Sequence, residues 1–184
     1  DHVYVRGAEG NLAQRVVNLA AEEGCCVSAV QPTHESSIGR FGVIGGRRRP
    51  DRHSVYEVDS VVEKPTPTVA EERLAVSGVR AGYYLAFFGI HVFTPEFLET
   101  LERHAAGETE AAAGVSGALD EVAQQSRYLA VQSDGRRYDL GPKYGLLRSQ
   151  LALTLSGRDR EELLAGLVEL LSAHPDAGGR SHGE

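Results

Sequence analysis

Two lysines lie in the two segments of this chain whose residue types best suit reaction chemistry. Lysine and arginine together number 19, yet the only lysines are Lys64 and Lys143. Lysine presents a compact point charge and arginine a planar fork, so the two are not interchangeable at a tight phosphate site. A chain that uses arginine almost everywhere else is therefore predicted to need lysine at these positions, unless the two remaining lysines lie there by chance.

Carboxylates accompany both lysines. Glu63 directly precedes Lys64, which places an acceptor for sugar hydroxyls beside a cation for a phosphate, although a surface ion pair ahead of Pro65 would give the same pattern. Asp139 precedes a glycine turn, and its hard oxygens suit Mg²⁺, which is commonly held by one or two carboxylates plus substrate phosphates. An Asx turn at the strand exit is the alternative. Lys143 fits a phosphate contact and a helix cap equally well.

Two glycines could form walls of a ligand pocket. Gly42 follows Arg40-Phe41, and Gly89 interrupts a strongly β-like run from Tyr83 to Phe93. Glycine lets the backbone approach a ligand closely, which suits a sugar pocket. A bulge or a turn would explain the same two glycines.

The elements that must position these residues follow from hydrophobic periodicity and end signals. A helix followed by a buried strand is the rhythm of an α/β fold, here predicted as a mostly parallel sheet with helices on both faces and an antiparallel extension. The last helix is predicted to be amphipathic, with an apolar face of Leu163, Leu164, Leu167, Leu170 and Leu171. Helices are expected at about 11–23, 95–104, 116–125, 142–155 and 158–172, and strands at 25–30, 41–44, 54–62, 83–93, 128–132 and 137–141.

Composition excludes several classes of function. A net charge of −7 argues against nucleic acid as a partner, and the absence of an apolar run of about 18 residues argues against a membrane span. Cys25 and Cys26 are adjacent, which makes them poor disulfide partners, so buried cysteines in a reducing cytoplasm are expected. The histidines show no metal-ligand spacing. Because methionine is absent, we expect a processed product or a fragment.

Four motifs occur in a characteristic order, and together they resemble the sugar-1-phosphate nucleotidyltransferases. They are Arg40-Phe41-Gly42-Val43-Ile44, Val62-Glu63-Lys64-Pro65, the segment 88–97 (FGIHVFTPEF) and the segment 137–145 (RYDLGPKYG). The bacterial UTP–glucose-1-phosphate uridylyltransferases are the most similar subgroup, and the resemblance covers their C-terminal two-thirds, from about residue 1 to 172 of this chain.

The resemblance implies a fold, a reaction and site residues. It implies a Rossmann-like nucleotide-diphospho-sugar transferase fold that forms an NDP-sugar and pyrophosphate from a nucleoside triphosphate and a sugar-1-phosphate, with Mg²⁺ as cofactor and a homo-oligomer as the intact enzyme. By resemblance, Glu63 binds sugar hydroxyls, Lys64 binds the sugar phosphate, and Gly42 and Gly89 line the sugar. Asp139 and Asp1 are implied as the two magnesium ligands, with Asp1 resting on a single terminal residue.

Two departures from the family pattern limit what the resemblance implies. Gly117 stands where the family has an acid in its Leu-Thr-Asp-Ala-Leu segment. The glycine-rich loop that cradles the triphosphate has no counterpart, so the nucleotide-binding part is expected to be missing and the chain alone to be inactive. Residues 1–173 are predicted to form the sugar-phosphate part of the domain and 174–184 a disordered tail. The alternative is a non-catalytic module that binds sugar phosphate or serves oligomer assembly.

Overall fold

The computed structural model describes residues 2–5, 7, 10–107 and 114–173 of the chain. Asp1 and the predicted tail at 174–184 lie outside the described residues. The chain divides into two compact units, one formed by positions 6–134 and the other by positions 1–5 with 135–184.

The eleven elements predicted from periodicity are present, and the described residues also contain, beyond those eleven, a strand at His2–Val5 and short helices at Glu35–Ile38 and Pro67–Arg73. Asn11 caps the first helix by accepting from the Gln14 N–H, and Gly24 ends it in the left-handed conformation that glycine adopts without strain. The elements in chain order are β1 His2–Val5, α1 Leu12–Glu23, β2 Cys26–His34, α2 Glu35–Ile38, β3 Gly42–Arg48, β4 Val55–Glu63, α3 Pro67–Arg73, β5 Tyr83–Val92, α4 Pro95–Ala105, α5 Val115–Gln125, β6 Tyr128–Gln132, β7 Arg136–Asp139, α6 Gly145–Leu155 and α7 Arg160–Ala173.

The sheet of the larger unit is mostly antiparallel, so the predicted mostly parallel sheet is wrong. Five strands close on themselves in the order β2-β5-β3-β4-β6. Only the β2–β6 pairing that completes the ring is parallel. Connection length gives the physical reason for one of these antiparallel pairs, β3 with β4. A parallel pair needs a crossover of a dozen or more residues, whereas only positions 49–54 separate β3 from β4.

Helices cover both faces of this sheet, as predicted. Alternate residues of β2 point to opposite sides. Cys26 and Val30 join a core cluster that includes residues of α4 and α5. Val27 and Ala29 join a second cluster that contains the buried residues of α1. Both cysteines are buried and free, which confirms the predicted burial.

The smaller unit is a two-stranded antiparallel sheet, β1 with β7, accompanied by α6 and α7. His2 pairs with Asp139 at one end of the ladder and Val5 with Arg136 at the other. The predicted apolar face of α7 is only partly buried. Leu163, Leu164 and Leu167 are half-buried, whereas Leu170 and Leu171 are exposed, Leu171 to 74%. None of the described helices combines the length and the hydropathy needed to cross a membrane.

An ion cluster between α4 and α5 stabilises the larger unit. Arg103 donates to Glu121 Oε1 at 2.6 Å, and Nε2 of the fully buried His104 side chain lies 2.8 Å from Glu121 Oε2. The hydrogen bonds from Arg103 and then His104 lower the pKa of Glu121 from 4.5 to about 2. A carboxylate held in this way stabilises the folded state while it is ionised.

We expect Glu121→Gln to lower the free energy of unfolding at pH 7 by about 1–3 kcal/mol, since it removes a charged hydrogen-bond acceptor. Because the folded-state pKa lies below the unfolded value, this difference should shrink as the pH falls from about 4.5 towards 2. Urea denaturation at pH 7 and pH 3 measures both values. Glu99→Gln, at an exposed position of α4, is the matched control. An equal loss at both pH values would contradict the assignment.

Candidate functional site

Glu63 and Lys64 lie where β4 leaves the sheet. The Lys64 Nζ lies 3.9 Å from Glu63 Oε1, and the two side chains are 62% and 47% exposed. The pair is therefore an accessible cation beside an accessible acceptor. This geometry agrees both with a surface ion pair and with a sugar-phosphate contact.

The backbone of Lys64 adopts an uncommon conformation. Its φ is +48°, in the left-handed region that residues other than glycine rarely occupy. The following Pro65 further restricts the conformations open to Lys64. The Lys64 N–H donates to the Phe41 carbonyl at 3.0 Å, which ties the residue to the entry of β3. Strain of this kind clusters at functional sites and persists only where the surroundings hold it.

Gly42 lies opposite Glu63 in the β3–β4 ladder. A Cβ at Gly42 would come within 2.5 Å of the Phe87 ring and 2.9 Å of the Ser116 hydroxyl. The close approach of these two side chains to the backbone therefore requires glycine here. The predicted pair of Gly42 and Glu63 is brought together, with Lys64 adjoining it.

Helix α5 fixes the end of β4 through two side chains that the sequence analysis did not single out. Ser116 Oγ donates to Glu63 Oε2 at 2.6 Å, and the Val61 N–H donates to Asp120 Oδ1 at 2.6 Å. Ser116 and Asp120 are four residues apart and so share one face of α5. That spacing is the one sequence signal that could have identified them, once α5 was known to pack on β4.

Gly89 lies in an irregularity of β5. The register with β2 shifts between the pairs Ser28–His91 and Val30–Phe87, so three residues of β5 oppose one residue of β2. Gly89 has a φ of +90° and is exposed. The bulge interpretation of this glycine is confirmed. The Phe87 ring connects the bulge to Gly42, since it closes over Gly42 and belongs to the same strand as Gly89.

Asp139 belongs to the smaller unit and ends β7. Its Oδ1 accepts a hydrogen bond of 2.9 Å from the Gly141 N–H, which is the Asx turn considered from the sequence. Asp1 lies outside the described residues. Among the described residues no group of three or more His, Cys, Asp or Glu side chains could hold a metal ion. One carboxylate is compatible with Mg²⁺ only where substrate phosphates and water complete the shell.

Two other positions from the sequence analysis lie at or within helices. Lys143 places its Nζ 5.0 Å from the centre of the Tyr144 ring, and Tyr144 is the N-cap residue of α6, without a side-chain capping hydrogen bond. This contact decides neither for a phosphate site nor for a cap. Gly117 is buried in α5, where the acid of the family pattern would need a partner.

The curated relatives of this chain named here carry the same enzyme name. No protein-family profile matches the chain. UTP–glucose-1-phosphate uridylyltransferase of Staphylococcus haemolyticus is 29% identical over 161 residues, which cover 85% of this chain and 50% of the relative. The enzyme of the same name from Streptococcus pneumoniae is 29% identical over 143 residues, covering 77% of this chain and 44% of that protein.

Solved structures show the same fold. A crystal structure of apo UDP-glucose pyrophosphorylase matches with a TM-score of 0.63 at 23% identity, covering 83% of this chain and 50% of that one. A UTP-bound UGPase from Acinetobacter baumannii matches with a TM-score of 0.70 at 18% identity, covering 92% and 54% respectively.

The relatives and the fold agree with the family resemblance that the four motifs indicate. The chain spans about half the length of the curated relatives it matches. It is a distant homologue of the bacterial UTP–glucose-1-phosphate uridylyltransferases.

Proposed function

We propose that this chain supplies the sugar-1-phosphate side of a nucleotidyltransferase that forms UDP-glucose and pyrophosphate from UTP and glucose-1-phosphate. The observation that carries the proposal is the grouping of Gly42, Glu63 and Lys64 where β3 begins and β4 ends. The choice of UTP and glucose follows the activity by which the relatives are named. Two free, buried cysteines agree with action in a reducing cytoplasm.

Each of these residues has a defined task in the proposal. The Lys64 ammonium neutralises the sugar phosphate, and Glu63 accepts hydrogen bonds from sugar hydroxyls. Ser116 donates to Glu63 Oε2 and so holds the carboxylate in one orientation. Gly42 admits the Phe87 ring and the Ser116 hydroxyl next to Glu63, since a side chain at this position would clash with both.

In the proposed reaction, a phosphate oxygen of the sugar-1-phosphate attacks the α-phosphorus of UTP in line, and pyrophosphate leaves. Little covalent chemistry falls to the protein in phosphoryl transfer, so orientation and charge neutralisation dominate the rate. Asp139 would hold Mg²⁺ in part, and the bound ion would supply further charge neutralisation at the phosphates. Pyrophosphate release from UTP and glucose-1-phosphate by the intact enzyme, assayed with and without Mg²⁺, measures the whole reaction.

We expect Lys64→Gln to weaken binding of glucose-1-phosphate about tenfold, equivalent to roughly 1.4 kcal/mol. Lys64→Arg should also weaken binding although the charge is preserved, because a planar guanidinium misplaces the phosphate. NMR titration of the chain with glucose-1-phosphate measures both dissociation constants.

Arg47→Gln is the matched control for these variants. Arg47 lies in β3, its side chain is 82% exposed, and its described ion pair is with Glu57. Its removal changes the net charge as Lys64→Gln does, so a general electrostatic effect would weaken both equally. Equal affinities for wild type and Lys64→Gln would reduce Lys64 to a surface cation.

A second prediction concerns the metal. Asp139→Asn should preserve the turn at Gly141, since the amide oxygen still accepts the N–H, and should change the melting temperature little. It should weaken divalent-cation binding because a carboxylate charge is lost. Mn²⁺ in place of Mg²⁺ broadens NMR signals near its site, so the broadening around residue 139 should decrease in the variant. Undiminished broadening with a lowered melting temperature would assign Asp139 to the turn alone.

A different function, assembly into a homo-oligomer, is favoured by the apolar surface of the smaller unit. In α7, Val168, Leu170 and Leu171 are 63%, 59% and 74% exposed. Leu146 and Leu147 of α6 are also more than half exposed. A concentration of exposed apolar side chains of this kind is typical of an association surface.

We expect Leu171→Glu to lower the mass of the assembly in solution, because a carboxylate on an apolar interface must be desolvated. Light scattering after size-exclusion chromatography measures the mass. Ser172→Glu adds the same charge at the neighbouring exposed position, about 100° further around the helix, and serves as the control. A wild-type chain that is monomeric at high concentration would contradict the assembly function.

A further inference from the structure

A histidine that the motifs leave unexplained lies directly after the bulge of β5. His91 Nδ1 is 2.7 Å from Ser28 Oγ, and Ser28 Oγ is 2.6 Å from the hydroxyl of the buried Tyr128. Ser28, His91 and Tyr128 thereby connect three neighbouring strands, β2, β5 and β6. Together with Phe87, they are called the clasp below.

The direction of these hydrogen bonds follows from what each hydroxyl can do. The one polar contact described for the Tyr128 hydroxyl is Ser28 Oγ. A buried hydroxyl needs an acceptor for its proton, so Tyr128 donates to Ser28. Ser28 then donates to His91 Nδ1, which must be unprotonated. Burial lowers the pKa of His91 to about 4, so the ring is neutral at pH 7 and Nε2 carries its proton.

The aromatic rings on either side of the bulge contact one another. Residues four apart in a regular strand are separated by roughly 13 Å. Yet the ring centres of Phe87 and His91 lie 4.9 Å apart at an angle of 85°. The His91 ring also stacks on the Phe93 ring, with the ring centres 5.5 Å apart. Gly89 adopts a φ of +90° within the bulge. The Phe87 and His91 rings, one on each side of the bulge in sequence, are therefore brought into contact.

We propose that His91 is a positioning residue: through Ser28 and Phe87 it holds the Gly89 bulge in the shape that admits the sugar of glucose-1-phosphate. The inference rests on the proposed function for its ligand. Phe87 also closes over Gly42, so the same ring contacts both His91, directly after the bulge, and the start of β3 beside Glu63. His91 itself need not touch the ligand.

A double-mutant cycle on the dissociation constant of glucose-1-phosphate tests the proposal. His91→Phe keeps an aromatic ring and removes the acceptor, while Ser28→Ala removes the donor. If both act through one hydrogen bond, each should weaken binding about fivefold and the double variant should be no weaker than either. His53→Gln, at an exposed position between β3 and β4, is the control and should bind as wild type does. Affinities within twofold of wild type, or losses that multiply to about 25-fold, would overturn the proposal.

Two measurements do not depend on ligand binding, and the first of them needs no variant. Nitrogen NMR at pH 7 should show His91 protonated on Nε2, and amide exchange at residues 88–90 should quicken in Ser28→Ala. A proton on Nδ1 in the wild type would overturn the proposed direction of the clasp. A wild-type chain that does not bind glucose-1-phosphate would sink the proposed function, whereas the tautomer and the exchange rates would still decide whether His91 holds the bulge.

Discussion

The hydrogen bond from the Val61 N–H to Asp120 determines whether the candidate site exists. The pairing of β4 with β6 runs from Val55 to Glu57, so the later part of β4 lacks that neighbour. A buried backbone donor without an acceptor costs about 1–3 kcal/mol. Helix α5 supplies the acceptor and, one turn earlier, the Ser116 hydroxyl for Glu63. The end of the strand is thus ordered by a helix more than fifty residues away in sequence.

The sequence predicted the elements well because their signals are local. Asn and Thr are residue types that favour helix N-caps, and Asn11 and Thr94 both accept capping hydrogen bonds. Sheet pairing is not local. The rhythm of a helix followed by a strand suggested parallel strands, but the short connection between β3 and β4 imposes an antiparallel pair. That connection length was readable from the sequence, whereas the closing β2–β6 pairing had no signal in either strand.

The candidate site was only half readable for the same reason. Gly42, Glu63 and Lys64 carry their chemistry in their residue types, so motif order sufficed to propose them. Ser116 and Phe87 contribute through contacts with residues far away in sequence. Ser116 orients the Glu63 carboxylate, 53 positions away, and Phe87 closes over Gly42 from the neighbouring strand. Serine and phenylalanine are common residues in such elements, and nothing in their spacing distinguishes them before the strands are paired.

The backbone conformation of Lys64 helps to decide between a surface ion pair with Glu63 and a phosphate contact. A left-handed backbone costs a residue with a Cβ roughly 1–2 kcal/mol, a cost that glycine would avoid. An exposed ion pair returns about 0–1 kcal/mol, so the 3.9 Å contact with Glu63 does not offset that strain. Stability alone would thus favour glycine at position 64. A lysine at this position therefore supports a role for its ammonium group beyond the ion pair, and the proposed phosphate contact is such a role.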